Sequence, residues 1–342
     1  MSRTRGLATA AFVLLIVWPG PRARGESGPG SLVAAAREFL ATLSPAQLVR
    51  AKLAFDADVR FRWRGDPGVR DGLPLKEMSS EQQRTALRFL EASLSEKGLK
   101  KVRLIRALER RLARLAGDGA HADPDLYFFL VFGEPADSGA WGWRFEGHNV
   151  SLNWTVVDGR MVSGTPQFLG AEPAEVREGP LHGARVLGAE DDLARALFRS
   201  LGDGLRREAA AGAAPPREFL TGTSRIASRP EETGVSWTAL TREQQGMLLS
   251  LIEEHAGLQP KELSDRRLER IRGEGLDGVR FSLIGGLEKD STGYYRVQGP
   301  GFAIEYACTE ENGGRARTVF REFDRDWGHD VLSTKRDASP TN

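Results

Sequence analysis

Two stretches of this chain share one strand–turn–strand pattern: Glu146-Gly147-His148-Asn149-Val150-Ser151-Leu152-Asn153-Trp154 and Gln298-Gly299-Pro300-Gly301-Phe302-Ala303-Ile304-Glu305-Tyr306. In each, a glycine marks a turn between two strand-like segments. A pattern that recurs far along one chain is typical of a duplicated unit. The sequence therefore predicts two similar halves.

Further segments recur at a nearly constant offset of roughly 150 to 160 residues. The matching pairs are 39–43 with 197–201, 78–83 with 240–245, and 125–134 with 279–288. Short loop insertions would account for the drift in the offset. We predict a leader over 1–25, a first repeat over 26–187, a second repeat over 188–333 and a disordered tail over 334–342.

Each half has the same order of elements, helices first and strands afterwards. Ser79 with Gln82, and Thr241 with Gln244, fit the capping box that opens a helix. Alternating apolar residues predict strands over 126–132, 141–145, 150–157, 161–163, 279–284, 294–298, 302–308 and 315–323. The expected fold class is α+β, with helices packed on an antiparallel sheet in each half.

For three other segments the sequence predicts which parts are exposed to solvent. The arginines at 60, 62 and 64 alternate with Val59, Phe61 and Trp63, which predicts a strand with its arginines in solvent. Residues 97–115 form a strongly basic amphipathic pattern, which is typical of a helix with a solvated charged face. Residues 209–232 show little periodicity and read as a long surface connection.

The overall charge excludes one class of partner. Among 342 residues, 48 basic and 47 acidic side chains leave a net charge of +1. Nucleic acids attract proteins with a marked positive field, so we expect no nucleic-acid partner. Cys308 is the only cysteine, so no intrachain disulfide can form, and its apolar strand pattern predicts a buried, inert thiol.

The N-terminus has the three-part layout of a secretory signal peptide. Arg3 and Arg5 precede an apolar run over 7–18, and a small-residue stop follows over 23–25. The alternative is a membrane anchor, but a spanning helix needs about 20 apolar residues. We expect cleavage near Gly25, export to the periplasm or the outside of the cell, and no stable membrane span after cleavage.

Strong chemical motifs are missing from the sequence. Its five histidines, at 121, 148, 182, 255 and 329, show no metal-ligand spacing. There is no nucleophile elbow, phosphate-binding glycine loop or Cys-x-x-Cys. The acidic run over 324–330 lacks the closing glutamate of an EF-hand, which favours a hydrogen-bonded turn. We predict no metal site, and the cofactor remains unknown.

His148 is the best catalytic candidate. It follows Glu146 at a tight turn, and a carboxylate near an imidazole can perform general acid/base work. Asn149 and Asn153 lie nearby and are expected to contact a ligand. The alternative is a turn histidine that is hydrogen-bonded to backbone.

Arg315 and Arg317 are expected to project from one face of a strand, because residues two apart do so. They could hold an anion together with Arg321, further along that strand, and Glu305 on the neighbouring strand supplies a third catalytic candidate. The alternative is an internal ion pair between the arginines and Glu305.

Several short motifs occur in order along the chain. They are Trp141-Gly142-Trp143-Arg144, Gly147-His148, Ser151-x-Asn153, Pro166-x-Phe168-x-Gly170, Tyr294-Tyr295-Arg296, Gly299-Pro300, Glu305-Tyr306 and Arg321-x-Phe323-x-x-Asp326-x-Gly328. Together they resemble the bacterial domain of unknown function 3500 family over nearly the whole mature chain. The resemblance implies an exported protein and assigns no activity.

The resemblance also implies a difference from relatives, which often carry histidines at the positions of Asn149, Arg315 and Arg317. The hypothesis is that a metal-like pocket has become an anion site here. We expect an exported protein that binds or processes a small, anionic ligand on the sheet hairpins. The alternative is a non-catalytic cell-envelope or interaction protein, with Trp141, Trp143 and Trp154 as core residues. Whether the protein is an enzyme is left open.

Overall fold

Alternation along the strands divides the sheet into an apolar face and a polar face. In the central strand that contains Trp141 and Trp143, the tryptophans pack into the main core. Arg144 and Glu146 point to the opposite face because neighbouring side chains alternate. Both faces are buried, since helices cover one and irregular chain covers the other.

The computed structural model describes residues 29–116, 123–210, 214–286, 291–308 and 314–338. The predicted leader, 1–25, lies outside these residues. The described helices are α1 (Pro29–Ala41), α2 (Pro45–Ala51), α3 (Ser80–Ala92), α4 (Glu96–Ala116), α5 (Gly188–Ser200), α6 (Asp203–Ala209), α7 (Arg242–Ala256), α8 (Lys261–Gly273) and α9 (His329–Ala338). None of these helices is both long and apolar enough to cross a membrane.

The strands are β1 (Lys52–Leu53), β2 (Leu73–Pro74), β3 (Phe128–Phe132), β4 (Ala140–Gly147), β5 (Val150–Val157), β6 (Arg160–Ser163), β7 (Gln167–Ala171), β8 (Val235–Ser236), β9 (Arg280–Gly285), β10 (Gly293–Gly299), β11 (Phe302–Cys308) and β12 (Ala316–Glu322). They form one sheet in the order β1-β3-β4-β5-β7-β12-β11-β10-β9-β8, while β2 pairs with β3 and β6 with β5. Every pairing except β1 with β3 is antiparallel.

The α+β class and the antiparallel character of the sheet are therefore confirmed. Strands β7 and β12 pair with each other, with Gly170 opposite Arg317. This pairing joins the sheets predicted for the two halves into one sheet. β7 was not among the predicted strands. Its residues are buried on both faces, so the sequence over 167–171 lacks the polar–apolar alternation of a half-exposed strand.

Several contacts occur in corresponding places in the two halves. Capping boxes open α3 and α7, and the glutamine of each box donates to a carbonyl oxygen of the preceding helical region, at 2.8 Å in both cases. Aromatic pairs stack across neighbouring strands in both halves, Trp143 on Trp154 with centroids 4.3 Å apart and Tyr295 on Tyr306 at 5.0 Å.

Two irregular segments lie over the polar face of the sheet, and we call them the first covering segment (residues 54–72) and the second covering segment (residues 214–233). The prediction of a strand over 59–63 is wrong, because Asp58–Phe61 forms a 3-10 turn. This stretch pairs with no described strand, and its backbone forms local hydrogen bonds, such as the one from Arg60 N to Ala57 O at 2.9 Å.

The second covering segment is irregular, as predicted, but it is not simply a surface connection. Thr221 is fully buried against the sheet. At the other end of the chain, α9 continues to Ala338 through part of the predicted disordered tail. Asp330 lies in the first turn of α9, where a negative charge stabilises a helix, and residues 339–342 lie outside the described residues.

Candidate functional site

The turn between β4 and β5 positions His148. Residues His148 and Asn149 connect the paired residues Gly147 and Val150. Asn149 has φ of 66°, in the left-handed region that asparagine tolerates better than most residues. Its carbonyl oxygen accepts a hydrogen bond of 2.7 Å from Gly170 N, which holds the turn against β7. The imidazole is consequently fixed at the end of the hairpin and is 8% exposed.

A carboxyl group and a guanidinium flank this imidazole. Glu109 Oε1, from α4, lies 3.5 Å from Nδ1, and Arg315 Nη2 lies 3.5 Å from Nε2. Arg315 Nη2 also donates to Asn149 Oδ1 at 3.1 Å and to Gly65 O at 2.9 Å. We call His148, Asn149, Glu109 and Arg315 the His148 cluster.

Burial changes the charge of this cluster. Removal from water raises the pKa of Glu109 to about 8, although interactions with the Tyr127 hydroxyl and the Asn149 amide oppose the rise. At neutral pH the carboxyl is therefore mostly protonated. Glu172, the other nearby carboxylate, is 3.9 Å from Arg315 Nε and partly exposed. The buried part of the cluster thus carries the positive charge of Arg315.

The row of carboxyl, imidazole and guanidinium can hold and transfer a proton. An imidazole beside a carboxyl group can act as a general acid or base toward a ligand that reaches it. Arg315 could stabilise negative charge on a bound ligand. Among the described residues, no group of three or more His, Cys, Asp or Glu side chains is arranged to hold a metal ion.

Glu146 and Asn153 lie on the polar face but are committed to other partners. Glu146 Oε1 accepts hydrogen bonds from Arg64 N at 2.8 Å and from Ser151 Oγ at 2.7 Å. Asn153 Nδ2 donates to Pro166 O at 3.0 Å. These hydrogen bonds hold neighbouring segments of the same polypeptide against the sheet.

Glu305 anchors the second covering segment. Its carboxylate accepts bonds from Leu220 N at 2.7 Å, Thr221 N at 2.9 Å, Thr221 Oγ1 at 2.6 Å and Tyr294 Oη at 2.6 Å. Its acceptor sites are therefore used by four donors, and the ion pair with Arg315 or Arg317, which the sequence left open as an alternative, is not among the ion pairs of the described residues.

Arg317 and Arg321 also contact the second covering segment. Arg317 Nη2 donates to Arg217 O at 2.9 Å, and Arg321 Nη2 donates to Ser224 O at 2.8 Å. Arg321 Nε additionally pairs with Asp326 Oδ2 at 2.6 Å. The structure therefore brings His148, Asn149 and Arg315 together, whereas Glu305, Arg317 and Arg321 have separate structural partners.

Sequence reasoning missed Glu109. It is the only acidic residue between 97 and 116, in a helix whose charges are otherwise basic. A signal was present, because Glu109 lies one helical turn after Ile105, on the apolar stripe that faces the core. A lone acid on the buried face of a helix usually has a partner or a shifted pKa.

The family model for "Protein of unknown function (DUF3500)" matches residues 27–329. The chain belongs to this family, as the motifs of the hairpins predict. No curated protein and no solved structure matches the chain.

Proposed function

We propose that this protein is exported and binds a small anionic ligand at the His148 cluster. The supporting observation is the placement of the Arg315 guanidinium beside an imidazole and a carboxyl group that is mostly neutral at pH 7. A guanidinium binds carboxylates and phosphates through paired hydrogen bonds. His148 would add a donor or an acceptor, so the same site could process the ligand by proton transfer.

Arg315 retains capacity for a ligand. Its contacts to Gly65, Asn149 and His148 all use Nη2, and its side chain is 18% exposed. Among the described residues, Glu172 is the carboxylate with which a bound anion would compete; it lies at 3.9 Å and is 38% exposed. A long ion pair with a partly exposed partner contributes little free energy.

The first prediction tests Arg315 against Arg317. A panel of carboxylate and phosphate metabolites is screened for stabilisation of the mature protein by thermal shift. We expect Arg315→Ala to abolish the ligand-induced shift, because the anion loses its main donor. Arg317→Ala is the matched control, since Arg317 lies two residues away, inside β12, and contacts Arg217 O instead.

Only the shift produced by the ligand is compared, because loss of the bonds to Gly65 and Asn149 lowers the stability of the free variant as well. A stabilising anion whose effect is unchanged in Arg315→Ala would contradict the proposal.

The alternative is a non-catalytic cell-envelope or interaction protein. The burial of Trp141, Trp143 and Trp154 in the main core and the anchoring role of Glu305 are compatible with it. The same screen separates the two: an interaction protein gives no stabilisation with any small anion.

Export is part of the proposal and relies on the sequence over 1–25. Mass spectrometry of the protein from a native cell envelope or culture medium should give a mature N-terminus near Glu26. Recovery of Met1 on the exported or retained protein would refute cleavage.

We infer further that 26–187 and 188–333 derive from one duplicated unit. The paired capping boxes, the stacked aromatic pairs and the order of the strands about the β7–β12 junction support this. Superposition of the halves should align β3, β4, β5 and β7 with β9, β10, β11 and β12 in that order. A different order would overturn the inference.

A further inference from the structure

A cleft opens on the polar side of the sheet, away from the His148 cluster. It has a volume of about 740 Å³ and lies where the first covering segment, the second covering segment and the turn before α9 meet. Its walls include the rings of Phe55, Phe61, Phe323 and Trp327. This volume falls in the range of about 300–1,000 Å³ that small-molecule sites occupy.

Two guanidiniums converge on the aromatic wall. Arg60 lies over the ring of Phe55, 4.1 Å from its centroid, and Arg225 lies over the ring of Phe61 at 3.6 Å. Arg60 is also 4.9 Å from the centroid of Phe61, so both cations contact one ring. Arg60 is 3% exposed, although the sequence predicted it in solvent.

Neither cation has a carboxylate partner among the described residues. Arg60 Nη2 donates to two neutral oxygens, Thr155 Oγ1 and Trp327 O, both at 2.8 Å. The pKa of Arg60 is lowered to about 9, first by burial and then by repulsion from Arg225. Arg60 is still protonated at neutral pH, so a buried positive charge lacks an ion-pair partner among the described residues, which is energetically costly.

The acids of the cleft do not neutralise this charge. Asp326 is paired with Arg321, and Asp324 is paired with Arg229. Asp56 is exposed, as is His329. The inner end of the cleft is therefore electropositive and apolar at once.

Trp327 adds a further feature that is common at ligand sites. Its backbone has φ of 57°, a conformation that costs about 1–3 kcal/mol for a bulky residue. The bond from Trp327 N to Thr165 O, at 2.9 Å, and the two bonds to its carbonyl oxygen hold it there. Its indole Nε1 is buried without a hydrogen-bond partner among the described residues.

We propose that this cleft binds a small oxyanion that carries a planar apolar group, such as an aromatic carboxylate or an aryl phosphate. The oxyanion would accept hydrogen bonds from Arg60 and Arg225, and the planar group would stack among the rings of Phe61 and Trp327. The ligand would supply the anionic partner that Arg60 and Arg225 lack among the described residues. This site is separate from the His148 cluster and does not depend on the function proposed there.

The test is calorimetric titration of the mature protein with 2-naphthoate and 2-naphthyl phosphate. Acetate supplies the charge without the ring, and 2-naphthol supplies the ring without the charge. We expect one or both naphthyl anions to bind at least about tenfold more tightly than either control compound, because charge and stacking act together. The two anions distinguish a carboxylate ligand from a phosphate ligand.

Arg225→Gln is the test variant because Arg225 is exposed, so its replacement should leave the fold intact. We expect it to weaken binding of the naphthyl anion by at least about tenfold, the usual effect of losing a charge-assisted bond. Arg217→Gln replaces an exposed arginine of the same segment that does not line the cleft, so it should change affinity less than about twofold. Arg315→Ala should leave the affinity unchanged.

Four results would overturn the proposal. Three of them are equal binding of 2-naphthol, equal losses in Arg225→Gln and Arg217→Gln, and no binding of either naphthyl anion at millimolar concentration. The fourth is weaker binding of the naphthyl anion in Arg315→Ala but not in Arg225→Gln. That result would place the anion at the His148 cluster, refute the cleft and support the function proposed for that cluster.

Discussion

Glu109 is a buried acid whose charge state differs between the folded and unfolded chain. Burial raises its pKa from 4.5 to about 8 in the folded protein. Between these values the folded chain binds more protons than the unfolded chain, so stability falls as pH rises. Below about pH 4.5 the carboxyl is protonated in both states, and this loss is absent.

Replacing Glu109 with Gln should remove this pH dependence. A single group can contribute a slope of up to about 1.4 kcal/mol per pH unit between its two pKa values. The unfolding free energy of each protein is measured by urea denaturation. As the pH rises from 5 to 8, we expect Glu109→Gln to become increasingly more stable than the wild type.

Glu269→Gln is the control, because Glu269 is exposed on α8. Parallel pH profiles for the wild type and Glu109→Gln would show that Glu109 is ionised at neutral pH, and the positive charge assigned to the His148 cluster would then be wrong.

At the scale of elements, the covering segments are held by side chains from the polar face of the sheet, and not by pairing with a strand or a helix. Arg144 Nη1 donates to Val59 O and Arg62 O in the first covering segment, at 2.9 and 2.6 Å. Arg296 Nη2 donates to Glu231 O in the second, at 2.6 Å. Irregular backbone can be buried only when its polar groups are bonded, which explains why charged side chains lie inside this protein.

Glu305→Gln tests this anchoring role. The glutamine would present an amide NH₂ to donors that now bind a carboxylate, leaving at least one buried donor unsatisfied. We expect a loss of about 2–4 kcal/mol in unfolding free energy. Hydrogen exchange at Leu220 and Thr221 should accelerate more than exchange in β3.

Glu231→Gln is the matched control, since the Glu231 side chain is exposed on the same segment. If Glu305→Gln leaves stability and exchange unchanged, the carboxylate is not an anchor, and its role as a catalytic candidate should be reconsidered.

At the scale of the whole molecule, the β7–β12 pairing makes one sheet from the two halves. Five residue pairs join these strands, and the main core continues from Trp143 to Tyr295. A shared sheet and core favour cooperative unfolding, because neither half can lose its edge strand without exposing apolar surface.

We therefore predict a single transition in calorimetry, with a van't Hoff enthalpy close to the calorimetric enthalpy. Leu251→Ala, in the buried face of α7, should cost about 2–5 kcal/mol. It should shift the entire transition, including the near-ultraviolet signal of Trp141 and Trp143 in the other half. Two separate transitions would instead define 26–187 and 188–333 as independent domains.

The amino-acid sequence by itself determined the α+β class, the capped helices α3 and α7, the hairpin strands and the family. Each depends on residues close together in the chain, where periodicity and capping leave a readable pattern. Only the tertiary structure decided that Glu109 meets His148 and that Arg60 is buried beside Arg225. Those neighbours come from elements distant in sequence, and no local pattern encodes which residue a buried charged side chain will meet.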